Sequence, residues 1–182
     1  MESNVKRVLI VVDMQNDFVS GALGTDEARA IEANVVEKIL GFDGSIYFTL
    51  DTHEADYPDT QEGRRLPVPH CIAGTDGWSP TAAVWMALME RGAANEQHMV
   101  CKETFGARDL PFRLYDDLGR HLDEIMLIGV CTDICVISNA LLLKAFFPEA
   151  RITIDAACCA GVTPESHRTA LDAMRACQID VL

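Results

Sequence analysis

The segment Ile125-Met-Leu-Ile-Gly-Val-Cys-Thr-Asp-Ile-Cys135 decides the fold, because an apolar run of strand length passes through Gly129 into a stretch of helical character. We interpret it as a strand, a tight turn at Gly129 and the start of a helix over 133–147. A cysteine placed there has its sulfur near the free N–H groups of a helix N-terminus, whose partial positive charge favours the thiolate. The pattern therefore predicts that Cys135 is a nucleophile. A buried structural cysteine is the alternative.

Apolar runs of strand length alternate with segments of helical period along the rest of the chain. This alternation is typical of βαβ units. We predict one α/β domain over residues 1–182, with a doubly wound, mostly parallel six-stranded sheet and helices on both faces. The predicted strands are 8–12, 45–50, 99–101, 125–130, 151–154 and 179–182, and the predicted helices are 27–40, 81–91, 112–118, 133–147 and 164–177. Residues 52–78 form a long loop without apolar period, and such loops are commonly functional.

The chain is acidic, with 15 Lys and Arg against 28 Asp and Glu and a net charge of −13. Such a surface repels nucleic acid and anionic membranes, so neither is an expected partner. The seven cysteines are an odd number, and the first residues lack the apolar core of a secretory signal. No apolar stretch approaches the roughly 20 residues that span a bilayer. We therefore expect a soluble cytoplasmic protein with free thiols and a small-molecule ligand, and we leave open whether it forms a homo-oligomer.

Three reactive side chains follow three of the predicted strands. Asp13, Lys102 and Cys135 each come just after an apolar run, and ligands of open parallel sheets bind at the carboxyl ends of the strands. Together they supply a base, a charge stabiliser and a nucleophile for acyl transfer, with Asp13 taking the thiol proton and Lys102 lowering the pKa of the thiol. The backbone N–H groups of Cys131 and Cys135 would bind the oxyanion. Taken singly, the aspartate is more often a turn former and the lysine a surface charge.

Three segments resemble the catalytic blocks of the isochorismatase-like cysteine hydrolases: Val11-Val-Asp-Met-Gln-Asn-Asp-Phe18, Lys102-Glu-Thr-Phe105 and Gly129-Val-Cys-Thr-Asp-Ile-Cys135. The resemblance extends over nearly the whole chain. It implies that Asp13, Lys102 and Cys135 form the catalytic triad of that family. It also implies a cis peptide bond before Cys131.

The long loop carries a candidate metal site. Asp51 and His53 lie at i and i+2 of an extended segment, so their side chains share a face. Glu62 and His70 complete a set of two imidazoles and two carboxylates, which suits Zn²⁺, Mn²⁺ or Fe²⁺. Taken alone, an Asp-x-His pair is more often ordinary loop polarity.

The family resemblance favours the metal, because a metal beside the triad is typical of its nicotinamidase branch. Asp51, His53 and His70 match the nicotinamidase pattern, whereas Glu62 stands where many members carry a histidine. The resemblance therefore implies one divalent ion as cofactor, with Zn²⁺ as the first choice and Mn²⁺ or Fe²⁺ as alternatives.

Two aromatic residues are candidates for substrate binding. By family position Phe18 and Phe105 would flank a pyridine ring, although Phe105 is as readily explained as a core residue. This chain has Leu66-Pro-Val-Pro69 where nicotinamidases often carry a bulky aromatic residue. We therefore expect a more open pocket.

These observations favour a nicotinamidase, which converts nicotinamide to nicotinic acid and ammonia through a cysteine thioester and so serves NAD salvage. A metal-free hydrolase of another small amide, such as a carbamoyl or ureido compound, is the second hypothesis. A non-catalytic binding member of the fold is the third, because a fold alone does not establish activity.

Overall fold

The computed structural model describes residues 5–182, and residues 1–4 of the predicted domain lie outside the described part. The strands are β1 Arg7–Val12, β2 Ser45–Asp51, β3 Met99–Lys102, β4 Glu124–Val130, β5 Arg151–Ala160 and β6 Asp180–Val181. The helices are α1 Asn16–Val19, α2 Asp26–Gly41, α3 Ala82–Glu90, α4 Leu110–Leu118, α5 Ile137–Phe146 and α6 Pro164–Ala176. Over the same residues, no helix is both long and apolar enough to cross a membrane.

The strands form one sheet in the order β3-β2-β1-β4-β5-β6, and every pairing is parallel. The prediction of a doubly wound six-stranded sheet is confirmed. The chain builds outward from β1 in one direction, returns to β4 on the other side of β1, and then builds outward again. Ligands bind at such a switch point, in the crevice outside the carboxyl ends of the two central strands. The ends of β1 and β4 therefore mark the place to look for a site.

Helices cover both faces of the sheet, because successive side chains of a buried strand point to opposite sides. Along β1, Val8, Ile10 and Val12 pack with α4, α5 and α6, whereas Leu9 and Val11 pack with α2 and α3. All five side chains are at most 1% exposed. The two apolar layers hold the central strands rigidly, so the loops at their carboxyl ends start from fixed positions.

Most predicted bounds of strands and helices lie within a residue or two of the observed ones, but the prediction of a turn at Gly129 is wrong. Gly129 lies inside β4, paired with Val12, with a φ of 111°. A Cβ at this position would lie 2.1 Å from the carbonyl oxygen of Val12, so only glycine allows this close approach of β1 and β4. The chain leaves the sheet after Val130 instead, through a peptide bond to Cys131 that is cis.

Two further elements differ from their predictions. The helix predicted over 133–147 begins as a π-helical turn, Thr132–Val136, before α5 starts at Ile137. Strand β5 runs to Ala160, well past the predicted end at residue 154, because buried side chains resume at Cys158 after a register shift against β4.

Candidate active site

A cavity of about 240 Å³ lies at the carboxyl ends of the central strands. Its lining is mainly apolar, with a few polar groups. The apolar residues and the threonine that line it are Phe18, Leu23, Thr25, Leu66, Phe105, Ile134 and Val162. The ionisable residues that line it are Asp51, Glu62, His70, Cys131 and Cys135. An apolar enclosure with a few convergent polar groups is the usual form of a small-molecule site.

The three side chains of the predicted triad meet beside this cavity, which Cys135 lines. Lys102 Nζ lies 2.8 Å from Asp13 Oδ2 and donates a hydrogen bond to Cys135 Sγ at 3.4 Å. The hydroxyl of Thr49 donates to the other carboxylate oxygen of Asp13 at 2.6 Å. All four residues are buried. The structure therefore brings together a carboxylate, an ammonium and a thiol at hydrogen-bonding range.

The charges of Asp13 and Lys102 depend on each other. Burial raises the pKa of Asp13, and the attraction of Lys102 opposes that rise without cancelling it. Burial alone would lower the pKa of Lys102, but the negative charge of Asp13, with that of Asp51, raises it above its ordinary value. Lys102 is therefore a firmly protonated cation, and Asp13 is a more basic carboxylate than an exposed one.

The expectation that Cys135 is a thiolate is wrong. Burial, followed by the negative charge of Asp13, raises the pKa of Cys135 well above its ordinary value. Lys102 does lower it, as the sequence suggested, but the effect is too small to dominate. The raised pKa favours a neutral thiol, so a base such as Asp13 is needed to generate the nucleophile.

The π-helical turn fixes the backbone around the thiol. The carbonyl of Cys131 accepts hydrogen bonds from the N–H groups of Ile134 and Val136, the residues on either side of Cys135. Cys131 and Cys135 both line the cavity. Single π-helical turns within helices occur frequently at functional sites.

Three of the four predicted metal ligands converge beside the triad. One ligand atom from each of Asp51, His53 and His70 lies within 4.8 Å of the others, and all three residues are buried. Asp51 Oδ2 is 3.0 Å from His53 Nε2 and 3.5 Å from His70 Nε2. Glu62 is more exposed, with Oε1 3.7 Å from His53 Nε2, and lies at the rim of the cluster.

The imidazoles are arranged as metal ligands usually are. The Nδ1–H of His70 donates to the carbonyl of Val68 at 2.8 Å, so in the neutral ring it is Nε2 that carries the lone pair facing the cluster. His53 Nε2 is buried 3.0 Å from Asp51 Oδ2 but makes no hydrogen bond of regular geometry with any described residue. Tyr57 packs against both rings, at centroid distances of 4.5 and 4.9 Å. A buried imidazole nitrogen this close to a carboxylate, without a well-formed hydrogen bond between them, fits a divalent ion that both would bind.

Gln15 holds the backbone of Asp51 in place. Its side-chain amide accepts from the Asp51 N–H at 2.8 Å and donates to the Asp51 carbonyl at 2.9 Å. The same amide donates to the carbonyl of Trp78 at 2.8 Å. Because Gln15 is fully buried, these bonds fix the end of β2 against the far end of the long loop.

Asp17 anchors the middle of that loop. Its carboxylate accepts from the N–H of Cys71 at 2.8 Å, directly after His70. A Cβ on Gly77 would lie 2.2 Å from this carboxylate, so glycine leaves the room that Asp17 needs. The loop therefore reaches the cluster as an ordered segment.

The predicted aromatic residues border the cavity in different ways. The ring of Phe18 is tilted against His70 at a centroid distance of 5.5 Å. Phe105 also lines the cavity but is 48% exposed, so the alternative of a core residue is wrong. Leu66 lines the cavity and is 39% exposed, and the expectation of a more open pocket stays a prediction.

Sequence reasoning missed four residues that support the site. Thr49, Gln15, Tyr57 and Asn139 are buried, and each contacts a predicted site residue. Thr49 had a usable signal, because it is a polar residue within an apolar strand and shares a strand face with Asp51. The roles of the other three depend on loop paths that the pattern of residues does not encode.

A family model described as Isochorismatase domain matches residues 7–182. The chain belongs to this family.

Solved structures and curated proteins show which members of the family this chain is similar to. The nicotinamidase/pyrazinamidase PncA of Bacillus subtilis has a TM-score of 0.83 and 30% identity, covering 97% of this chain and 99% of its own. The pyrazinamidase of Pyrococcus horikoshii in complex with zinc has a TM-score of 0.79 and 26% identity, with coverage of 97% and 98%. The nicotinamidase/pyrazinamidase of Mycobacterium tuberculosis is 24% identical, over 97% of this chain and 98% of its own. The predicted resemblance to the nicotinamidase branch of the isochorismatase family is confirmed.

Proposed function

We propose that this isochorismatase-family hydrolase is a nicotinamidase, which hydrolyses nicotinamide to nicotinic acid and ammonia. The observation that carries the proposal is that Asp51 belongs to both the triad region and the candidate metal site. One of its carboxylate oxygens contacts Lys102, and the other contacts the imidazoles of His53 and His70. A triad coupled in this way to a candidate metal site is what the nicotinamidase pattern implies. The similarity to nicotinamidase/pyrazinamidase proteins supports an amidohydrolase that acts on a carboxamide.

In the first half of the reaction, Asp13 takes the proton of the Cys135 thiol as Sγ attacks the carboxamide carbon. The raised pKa of Asp13 suits it to this transfer. The N–H groups of Cys131 and Cys135 stabilise the oxyanion, and Lys102 stays protonated beside both reacting groups. Asp13 then returns the proton to the nitrogen as the C–N bond breaks, so ammonia leaves and a thioester remains.

In the second half, Asp13 removes a proton from a water molecule whose oxygen attacks the thioester carbon. The C–S bond breaks, and Asp13 gives the proton back to the sulfur of Cys135. The acid product leaves, and the site returns to its neutral thiol. One carboxylate thus acts alternately as base and acid, and no histidine is required.

The metal-site residues are assigned to substrate orientation. Asp51, His53 and His70, with Glu62 at the rim, would hold one divalent ion, Zn²⁺ first among the candidates. When bound, such an ion supplies a Lewis acid that holds the pyridine nitrogen, directly or through water. Phe18 and the apolar walls accommodate a flat, uncharged ring. The carboxylates of the site disfavour anionic substrates.

Ammonia release from a small panel of amides tests the proposal. We expect rapid release from nicotinamide, loss of release after treatment with a strong chelator, and recovery with Zn²⁺, Mn²⁺ or Fe²⁺. A preparation carrying Cys135→Ala, purified in parallel, controls for contaminating amidases. Release from a ureido compound that persists in metal-free protein, without release from nicotinamide, would replace this proposal with the metal-free amide hydrolase.

A further inference from the structure

Asn139 lies on α5 one turn after Cys135 and is completely buried. Its side-chain amide makes three hydrogen bonds. Oδ1 accepts from the N–H of Ala107 at 2.8 Å, and Nδ2 donates to the carbonyls of Cys135 at 2.8 Å and Phe105 at 3.3 Å. The amide therefore connects the turn that carries the thiol to the segment that carries one wall of the cavity.

These partners belong to two different parts of the chain. Cys135 belongs to the π-helical turn after β4, whereas Phe105 and Ala107 belong to the loop between β3 and α4. An asparagine within a helix more often competes with the helix or points to solvent. Here the donation to the carbonyl four residues earlier accompanies two bonds that leave the helix. A buried polar group that is satisfied in this way rigidifies the elements it joins.

We propose that Asn139 is a positioning residue that fixes the separation between the Cys135 thiol and the Phe105 wall. This inference rests on the proposed function, because it concerns how an aromatic amide fits between nucleophile and wall. Phe105 is 48% exposed and has no aromatic partner among the described contacts, and the hydrogen bond from Asn139 to its carbonyl ties its backbone to α5.

Two substitutions separate the hydrogen bond from Asn139 to Cys135 from its hydrogen bonds with Phe105 and Ala107. Asn139→Thr keeps a hydroxyl able to bond the carbonyl four residues earlier, and so retains the contact with Cys135. It loses the contacts with Phe105 and Ala107. Asn139→Ala loses all three. The matched control is Asn34→Ala on α2, because Asn34 also donates to a backbone carbonyl, at 2.8 Å, but lies away from the cavity.

The first measurement is steady-state hydrolysis of nicotinamide. We expect Asn139→Thr to raise KM about tenfold while kcat changes by less than about threefold, because the ring wall moves and the thiol does not. We expect Asn139→Ala also to lower kcat by up to about 100-fold, since misplacement of a reacting group by about 1 Å has that order of effect. Asn34→Ala should match the parent in both constants.

The second measurement needs no turnover. It compares the rates at which Cys135 is alkylated by iodoacetamide and by N-phenyl iodoacetamide, followed on the Cys135 peptide by mass spectrometry. We expect Asn139→Thr to slow the phenyl reagent selectively and Asn139→Ala to change both rates. Parent-like rate ratios in folded Asn139→Thr and Asn139→Ala would overturn the proposal for Asn139. A parent that fails to hydrolyse nicotinamide would overturn the proposed function instead, and the alkylation ratio would still decide the role of Asn139.

Discussion

Lys102 Nζ lies 2.8 Å from Asp51 Oδ1, while Asp51 Oδ2 faces the imidazoles of His53 and His70. One carboxylate therefore belongs to both the triad and the candidate metal site. Contacts with the two imidazoles and with Lys102 outweigh burial and lower the pKa of Asp51 below its ordinary range. Asp51 is thus ionised across the whole pH range in which the protein would work.

Replacing Asp51 by asparagine should impair metal binding and catalysis together. We expect the affinity for Zn²⁺ to fall by more than about 100-fold, since the loss of residues that merely support ligands often costs 10–100-fold. Competition with a chromogenic chelator measures this affinity. Asp56→Asn is the matched control, because Asp56 lies exposed in the same loop. Parent-like affinity in Asp51→Asn would remove Asp51 from the metal site.

Gln15 should influence the metal through the backbone of Asp51. Gln15→Leu leaves the N–H and carbonyl of Asp51 and the carbonyl of Trp78 without their buried partner, at a cost of about 1–3 kcal/mol in the free energy of unfolding for each unpaired group. We expect urea unfolding to shift accordingly and Zn²⁺ affinity to fall at least tenfold. A destabilised variant with unchanged metal affinity would show that Gln15 serves the fold alone.

The contact between Asp51 and Lys102 shows what sequence reasoning reached and what it did not. Lys102 was found from its place after an apolar run and Asp51 from the Asp-x-His pattern, and the parallel register of β2 and β3 makes them direct neighbours. That register depends on how the whole sheet assembles, so the sequence predicted a metal beside the triad but not that one carboxylate is shared by both. The triad and the sheet follow from strand periodicity, which is local and strong.

Other features depended on contacts that no local pattern reveals. Gly129 resembles a turn residue, but glycine is needed there because the backbone of Val12 in the neighbouring strand leaves no room for a Cβ. The direction of the thiol pKa was wrong because a helix N-terminus indicates thiolate, whereas complete burial beside Asp13 has the larger and opposite effect. Supporting residues such as Tyr57 and Asn139 contact the site only after the loops have folded.

Cys135→Ala should abolish turnover while leaving the fold and the metal in place. The thiol is the only proposed nucleophile, and it is not among the clustered ligands Asp51, His53 and His70. We expect no measurable ammonia release, with parent-like Zn²⁺ content by elemental analysis and a parent-like circular dichroism spectrum. Cys177→Ala controls for the loss of a thiol, because Cys177 is exposed and outside the cavity. Activity within about tenfold of the parent would exclude the covalent mechanism.

The charges around Cys135 predict opposite shifts of its titration in two variants. Burial and the charge of Asp13 raise the pKa of the thiol, while Lys102 lowers it. Removing a negative neighbour therefore favours the thiolate, and removing a positive one disfavours it. In Asp13→Asn, the pH dependence of Cys135 alkylation should move to lower pH although turnover is lost. In Lys102→Ala, it should move to higher pH.

The rates are followed on the Cys135 peptide, since all seven thiols are free, and near-ultraviolet circular dichroism verifies that each variant is folded. Coincident profiles for the parent and both folded variants would show that neither charge acts on the thiol, and would remove Asp13 and Lys102 from the proposed triad.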